Sequence, residues 1–111
     1  MLEASAGHGK EGVGMARLVA ETVQFFITAM DSLKLNMTAV DQIHPLLTDL
    51  YESLCRIPTL SQEWEGKLKI KNWLVQMNKM KASDDLNEEQ IRQMLFDLES
   101  SYNAFHKSLA G

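Results

Sequence analysis

Four stretches of this chain place apolar residues three or four positions apart, and that spacing constrains the fold more than any other feature of the sequence. An α-helix turns about 100° per residue, so side chains at i, i+3, i+4 and i+7 share one face, whereas a half-buried strand needs alternation at period two. Met15, Val19, Val23, Phe26, Met30, Leu33 and Met37 form the first stripe. Ile43, Leu46, Leu47, Leu50, Leu54 and Ile57 form the second, and Ile70, Trp73, Leu74, Met77 and Met80 the third. Ile91, Met94, Leu95, Leu98, Tyr102, Phe105 and Leu109 form the fourth and most regular. No segment alternates at period two, and no Asn-Gly or Asp-Gly pair marks a hairpin. Each stripe has to be covered by another, so the pattern predicts an all-α, up-and-down antiparallel four-helix bundle.

Punctuation between the stripes sets the expected boundaries. Phe25 and Ile27 flank the first stripe and broaden its apolar arc, which predicts a central first helix touching more than one neighbour. Thr38 with Asp41 three residues on resembles a capping box, so the second helix is expected to begin nearby. Pro45 suits a first turn and kinks a longer helix, which places the main body of that helix from Pro45 onward. Pro58, Thr59 and Ser61 close it, and Trp64 in the following connection is expected to plug a gap between helices. Asn87 with Gln90 is a capping box for the fourth helix, with Glu88 and Glu89 at its positive end and Lys107 near its negative end. Gly7, Gly9, Gly12 and Gly14 mark residues 1–14 as a flexible leader or linker, leaving residues 15–111 as the bundle.

A length of 111 residues suits one domain with its own core, and 45% hydrophobic with 23% charged residues is a globular balance. The net charge of −4, with acidic and basic residues interspersed, argues against nucleic acid as a partner. Lys67, Lys69 and Lys71 are offset by Glu63 and Glu65 and read as a solvated helix face. Cys55 is the one cysteine, so the chain has no internal disulfide or cysteine metal cluster; lying between Leu54 and Ile57, it reads as a buried packing thiol. No window reaches the roughly 18 to 20 apolar residues of a bilayer span, and the N-terminus lacks signal-peptide layout.

Residues for catalysis are thin. His8, His44 and His106 share no metal-ligand spacing, and no Glu-x-x-His occurs of the kind that builds di-iron sites in bundles. The run Asp84, Asp85, Glu88, Glu89 lacks the glycine and terminal Glu of a calcium loop and reads as helix capping. The glycines near the N-terminus do not end in Lys-Ser or Lys-Thr, so they form no phosphate loop. The expectation is a non-enzymatic domain with no metal and no cofactor. Two large apolar side chains fall off the stripes: Phe96 lies about 140° round the helix from Ile91, and Leu35 points away from the first stripe. Clustered exposed apolar residues mark binding surfaces, so Leu35 and Phe96 are the candidate partner-binding residues. A bundle binding a lipid or apolar ligand at an endosomal membrane surface is the alternative, and the acidic balance argues against it.

The stretch Phe25-Phe-Ile-Thr-Ala-Met-Asp-Ser-Leu-Lys-Leu35, the triplet Trp64-Glu-Gly66, the pair Trp73-Leu74, and the segment from Ser83 through Gln93-Met-Leu-Phe-Asp-Leu-Glu-Ser-Ser-Tyr-Asn-Ala-Phe105 resemble one family. It is the C-terminal domain of the vacuolar protein sorting subunit numbered twenty-eight, in the ESCRT-I complex, and the resemblance runs from about Leu18 to Leu109. It implies a four-helix bundle in a cytoplasmic protein, peripheral on endosomes. It also implies a role in sorting ubiquitinated cargo into multivesicular bodies, through contacts with the ESCRT-II subunit bearing the GLUE domain, by way of its inserted zinc finger in some lineages, and with ESCRT-III subunits. The family region that assembles with the other ESCRT-I subunits is absent here, so the chain is expected to be an excised domain. The family's binding surface is a patch without a short motif, so Leu35 and Phe96 rest on helix geometry alone.

Overall fold

A computed structural model of the chain describes the backbone of residues 2–110 and the side chains of residues 14–109. It consists of four helices, α1 (Leu2–Lys34), α2 (Val40–Arg56), α3 (Glu65–Asn78) and α4 (Glu88–Ala110). Of the leader expected over residues 1–14, Met1 lies outside the described residues and residues 2–14 fall within the span of α1, with a side chain described only from Gly14 on. Each helix packs on its two neighbours in a closed ring, α1 on α2, α2 on α3, α3 on α4 and α4 on α1. The broad apolar arc of α1 therefore does touch two helices, but so does every other helix, and α1 is not the central one.

Contacts between the helices fix their directions. Thr22 of α1 meets Ser53 near the end of α2, although the end of α1 leads into the start of α2. Phe26 packs on Tyr102 and Phe105 of α4, at centroid distances of 5.4 and 5.9 Å, while Lys34 reaches back to Glu99. Trp64 touches Phe105 at the start of α3, and Trp73 bonds Asp97 further on. Sequence-adjacent helices thus run antiparallel, as the short connections predict.

All four stripes turn inward. Phe26, Leu33, Ile43, Leu47, Leu50, Leu54, Ile70, Met77, Met94, Leu98 and Phe105 are buried in one cluster. Burying each such side chain contributes about 1.5–3 kcal/mol, which outweighs the weak helix propensity of the β-branched and aromatic members. The stripes are less complete at their edges: Leu46, Leu74, Met80 and Ile91 are half-buried, and Leu109 is exposed.

Helix α1 ends in a left-handed residue, Asn36, at φ 68°. Met37 N–H donates to Ser32 and Asn36 N–H to Leu33, the pair of bonds that satisfies the last carbonyls of a helix in a Schellman turn. Leu35 is the residue just before the reversal, which carries its side chain out of the bundle.

The start of α2 departs from the sequence reading. The helix begins at Val40 and takes Pro45 inside it, instead of opening at Pro45. The Thr38–Asp41 capping box does not form: the residue before the helix is Ala39, with no side-chain cap. Thr38 Oγ1 instead donates to Asp85 Oδ1 at 3.0 Å. The amides of Val40 and Asp41 donate to the carbonyls of Asp84 and Ala82, and Leu86 N–H returns a bond to Thr38. The connection from α3 to α4 thus satisfies the orphan N–H groups that a local cap serves elsewhere. The acidic run correspondingly divides, with Asp84 and Asp85 at α2 and only Glu88 and Glu89 in the first turn of α4.

Two other expectations fail for related reasons. Lys67, expected on a solvated face, is only 2% exposed, with its ammonium donating to the Leu60 carbonyl at 3.3 Å. Its aliphatic stem is covered because the α2–α3 connection folds back over the first turn of α3. Cys55, expected to be buried, is exposed. It lies one residue beyond Leu54, which takes the core position, and a 100° step moves its thiol off the buried arc.

Candidate interaction surface

The described side chains fill the interior and leave no group of three or more His, Cys, Asp or Glu placed to hold a metal. Most of the polar side chains that are buried or half-buried bond within or between helices, whereas the Ser101 hydroxyl, buried on α4, has no hydrogen-bond partner among the described residues. Thr22 Oγ1 donates to the Leu18 carbonyl at 2.7 Å, so its single proton is used and Ser53 is the donor in the Thr22–Ser53 bond. Trp73 Nε1 donates to Asp97 Oδ2 at 2.8 Å, and Gln93 Nε2 donates to Asp97 Oδ1 at 3.0 Å, which ties α3 to α4. His44 Nε2 donates to Asn78 Oδ1 at 2.9 Å across α2 and α3, and Thr48 lies 3.3 Å from the other ring nitrogen. His106 rests edge-on against Tyr102 at 4.6 Å. Burial, and then the neighbouring Cys55 thiol, push the Tyr51 phenol above its ordinary value. Each group sits in a packing or bridging role.

Trp64 does plug the space between helices, and Gly66 makes this possible. The Trp64 ring lies over the place a Cβ at residue 66 would occupy, so only glycine leaves room for it. The ring then meets Phe105 at 6.5 Å, edge-on. The Asn87–Gln90 capping box forms as its spacing predicts, with Gln90 N–H donating to Asn87 Oδ1 at 2.7 Å and Asn87 N–H to Gln90 Oε1 at 2.9 Å.

What remains is the surface. Leu35 is 80% exposed and Phe96 60% exposed, so both side chains predicted to stand off the stripes do so. Their helices are joined by the Lys34–Glu99 ion pair at 3.9 Å, one residue from Leu35 and three from Phe96. Beside that pair is a shallow depression of about 320 Å³ lined by Met30, Lys34, Glu99, Tyr102 and Asn103, and neither Leu35 nor Phe96 lines it. The two candidate residues therefore lie on adjoining elements, Phe96 on α4 and Leu35 just past the end of α1, without forming one pocket. Four further large apolar side chains, Ile27, Leu68, Val75 and Leu109, are also exposed, and the helical stripes do not single them out as surface residues. Leu68 and Val75 stand about 160° and 140° from Ile70 on α3, so the rotation that marks Phe96 also marks them.

No helix among the described residues is long and apolar enough to cross a membrane. Comparison with known proteins narrows the reading further. Residues 2–109 match the VPS28 protein family. Vacuolar protein sorting-associated protein 28 homolog 1 of Arabidopsis thaliana is 60% identical over 94 residues, which is 85% of this chain and 45% of that protein. The Dictyostelium discoideum protein 28 is 50% identical over 108 residues, 97% of this chain and 38% of that one. The chain thus spans less than half the length of these curated relatives. The X-ray structure of the yeast ESCRT-I Vps28 C-terminus superposes at a TM-score of 0.76 with 46% identity, covering 83% of this chain and 91% of that one. Since the match takes in all four helices and their connections, with relatives well above the identity at which fold alone is shared, the chain belongs to the VPS28 family.

Proposed function

We propose that this domain is a non-enzymatic protein-interaction module of ESCRT-I, linking it to downstream sorting machinery in the delivery of ubiquitinated cargo to multivesicular bodies. The observation that carries the reading is the division of labour within the fold. Thr22 with Ser53, His44 with Asn78 and Trp73 with Asp97 hold helices together, while large apolar side chains, Phe96 above all, stand in water on a helix of the bundle. Exposed aromatic residues on rigid elements are the usual anchors of protein interfaces. Similarity to the C-terminal domain of yeast ESCRT-I Vps28 supports the assignment. The partners proposed are the ESCRT-II subunit with the GLUE domain and zinc finger, and ESCRT-III subunits, with the protein peripheral on endosomes.

Titration of the isotope-labelled domain with ESCRT-II and ESCRT-III fragments tests this. Amide shifts clustering around Phe96 and Leu35, and weakened by Phe96→Ala, are the expected result. Shifts confined to another face would refute these two residues as the anchors, and no shift with any fragment would refute the proposed partners.

A further inference from the structure

Helix α3 carries a surface unlike the rest of the molecule. Beyond Glu65, the exposed acidic residue that opens the helix, residues 66–82 contain five lysines and no acidic residue, within a chain of net charge −4. Lys67 is turned inward, and its ammonium is engaged by Leu60. Lys71, Lys79 and Lys81 are exposed and Lys69 is half-buried. Among the described residues the ion pair is Lys34–Glu99, in which none of these lysines takes part.

The exposed apolar residues of α3 lie along the same line. Leu68 is 43% exposed and Val75 44%, seven positions apart and so two turns along one face. Lys71 falls between them and Lys79, the residue that caps the end of α3 in a helical conformation, follows one turn later, so Leu68, Lys71, Val75 and Lys79 occupy an arc of about 80° over about 16 Å. Asn72, also exposed, borders the arc. The inward face of the same helix is fully used by Ile70, Trp73 and Met77. A helix needs one apolar face to pack in the bundle; this one has a second, with cations along it.

We propose that the outer face of α3, built on Leu68, Lys71, Val75 and Lys79, is a docking surface for an acidic amphipathic helix of another protein, separate from the surface around Phe96. Charge complementarity selects the occupant. Two apolar side chains two turns apart match the i, i+7 anchors of a helix laid alongside, and lysines beside them attract carboxylates on its flanks. An anionic membrane is the weaker fit, because the face exposes no aromatic residue and the domain as a whole is acidic.

The test uses the intact chain and a fluorescein-labelled designed peptide about five turns long, with a leucine stripe bordered by glutamates. Its counterpart carries lysine in place of every glutamate. The acidic peptide is expected to bind, to shift the amides of residues 68–79, and to lose about tenfold in affinity as salt rises from about 0.05 to about 0.5 M. The double variant Lys71→Glu, Lys79→Glu should weaken it about tenfold, whereas Arg92→Glu, a charge reversal on α4, should change it less than about twofold. The amide spectrum of each variant without peptide establishes that the bundle is intact. Absence of binding, equal binding of the lysine peptide, or shifts centred on α4 would overturn the proposal. So would binding of the chain to phosphatidylserine vesicles with loss on Lys71→Glu, Lys79→Glu but no binding of the peptide, which would assign the face to a membrane.

Discussion

Helices α3 and α4 are neighbours in the bundle, yet they are held in place in different ways. Helix α4 is specified by its own sequence: a reciprocal capping box at Asn87 and Gln90 starts it, and Met94, Leu98 and Phe105 point inward at regular intervals. Helix α3 has no side-chain cap, only 14 residues, and a buried lysine in its first turn. It relies on groups from outside: Asp97 takes the Trp73 indole, Leu60 takes the Lys67 ammonium, and the Trp64 ring closes over Gly66. An isolated helix of that length is marginal in water, so tertiary contacts supply most of its stability. The difference implies that α4 should respond to substitutions in its own pattern, and α3 to substitutions in what covers it.

The largest effect is expected in the regular stripe of α4. Leu98 is buried in the core cluster, and Leu98→Ala removes three carbons with no exposed route for collapse. Loss of about 2–5 kcal/mol in denaturant unfolding is the expected outcome. A cost under about 1 kcal/mol would mean that the stripe is loosely packed, and the contrast with α3 would fail.

For α3 the corresponding change is Gly66→Ala. Alanine is the better helix former by about 1 kcal/mol, so propensity alone predicts stabilisation. The new methyl group instead overlaps the Trp64 ring, which must leave its place against Phe105. We expect a net loss of about 1–3 kcal/mol, together with a red shift of tryptophan emission as Trp64 meets water. A gain in stability would show that α3 depends on its own propensity after all.

The caps separate the two modes of control more finely. Asn87→Ala should cost about 1 kcal/mol by leaving the Gln90 amide unpaired at the start of α4. Measured by thermal melting, it should exceed the loss from Asp41→Ala, since Asp41 caps nothing despite its capping-box spacing. Equal losses would place a cap at α2 that the structure lacks.

These same contrasts explain what the sequence reveals and what it conceals. The four stripes and the Asn87–Gln90 box depend on residues within a few turns of one another, so their spacing is enough. The start of α2 is concealed because the carbonyls of Ala82 and Asp84, some forty residues away, replace the local cap. Burial of Lys67 depends on how the α2–α3 connection folds back, which no helical period encodes. Rotation about the helix axis correctly places Phe96 and Leu35 on the surface. The same rotation places Leu68 and Val75 there too, but reading Lys67, Lys69 and Lys71 only as a solvated run obscures the apolar line between them.

The smallest stability effect tests the outward face of α4. Phe96 is two residues from Leu98 and about 160° away round the helix, so most of its ring is already in water when the domain is folded. Phe96→Ala should therefore change unfolding free energy by less than about 1 kcal/mol, even though it removes a larger side chain than Leu98→Ala does. Exposure, not size, decides the order. If Phe96→Ala destabilised as severely as Leu98→Ala, the ring would be part of the core in solution, and Phe96 could not anchor a partner. If stability is unchanged while binding of an ESCRT fragment falls, the outer face of α4 carries recognition independently of the stripe that folds it.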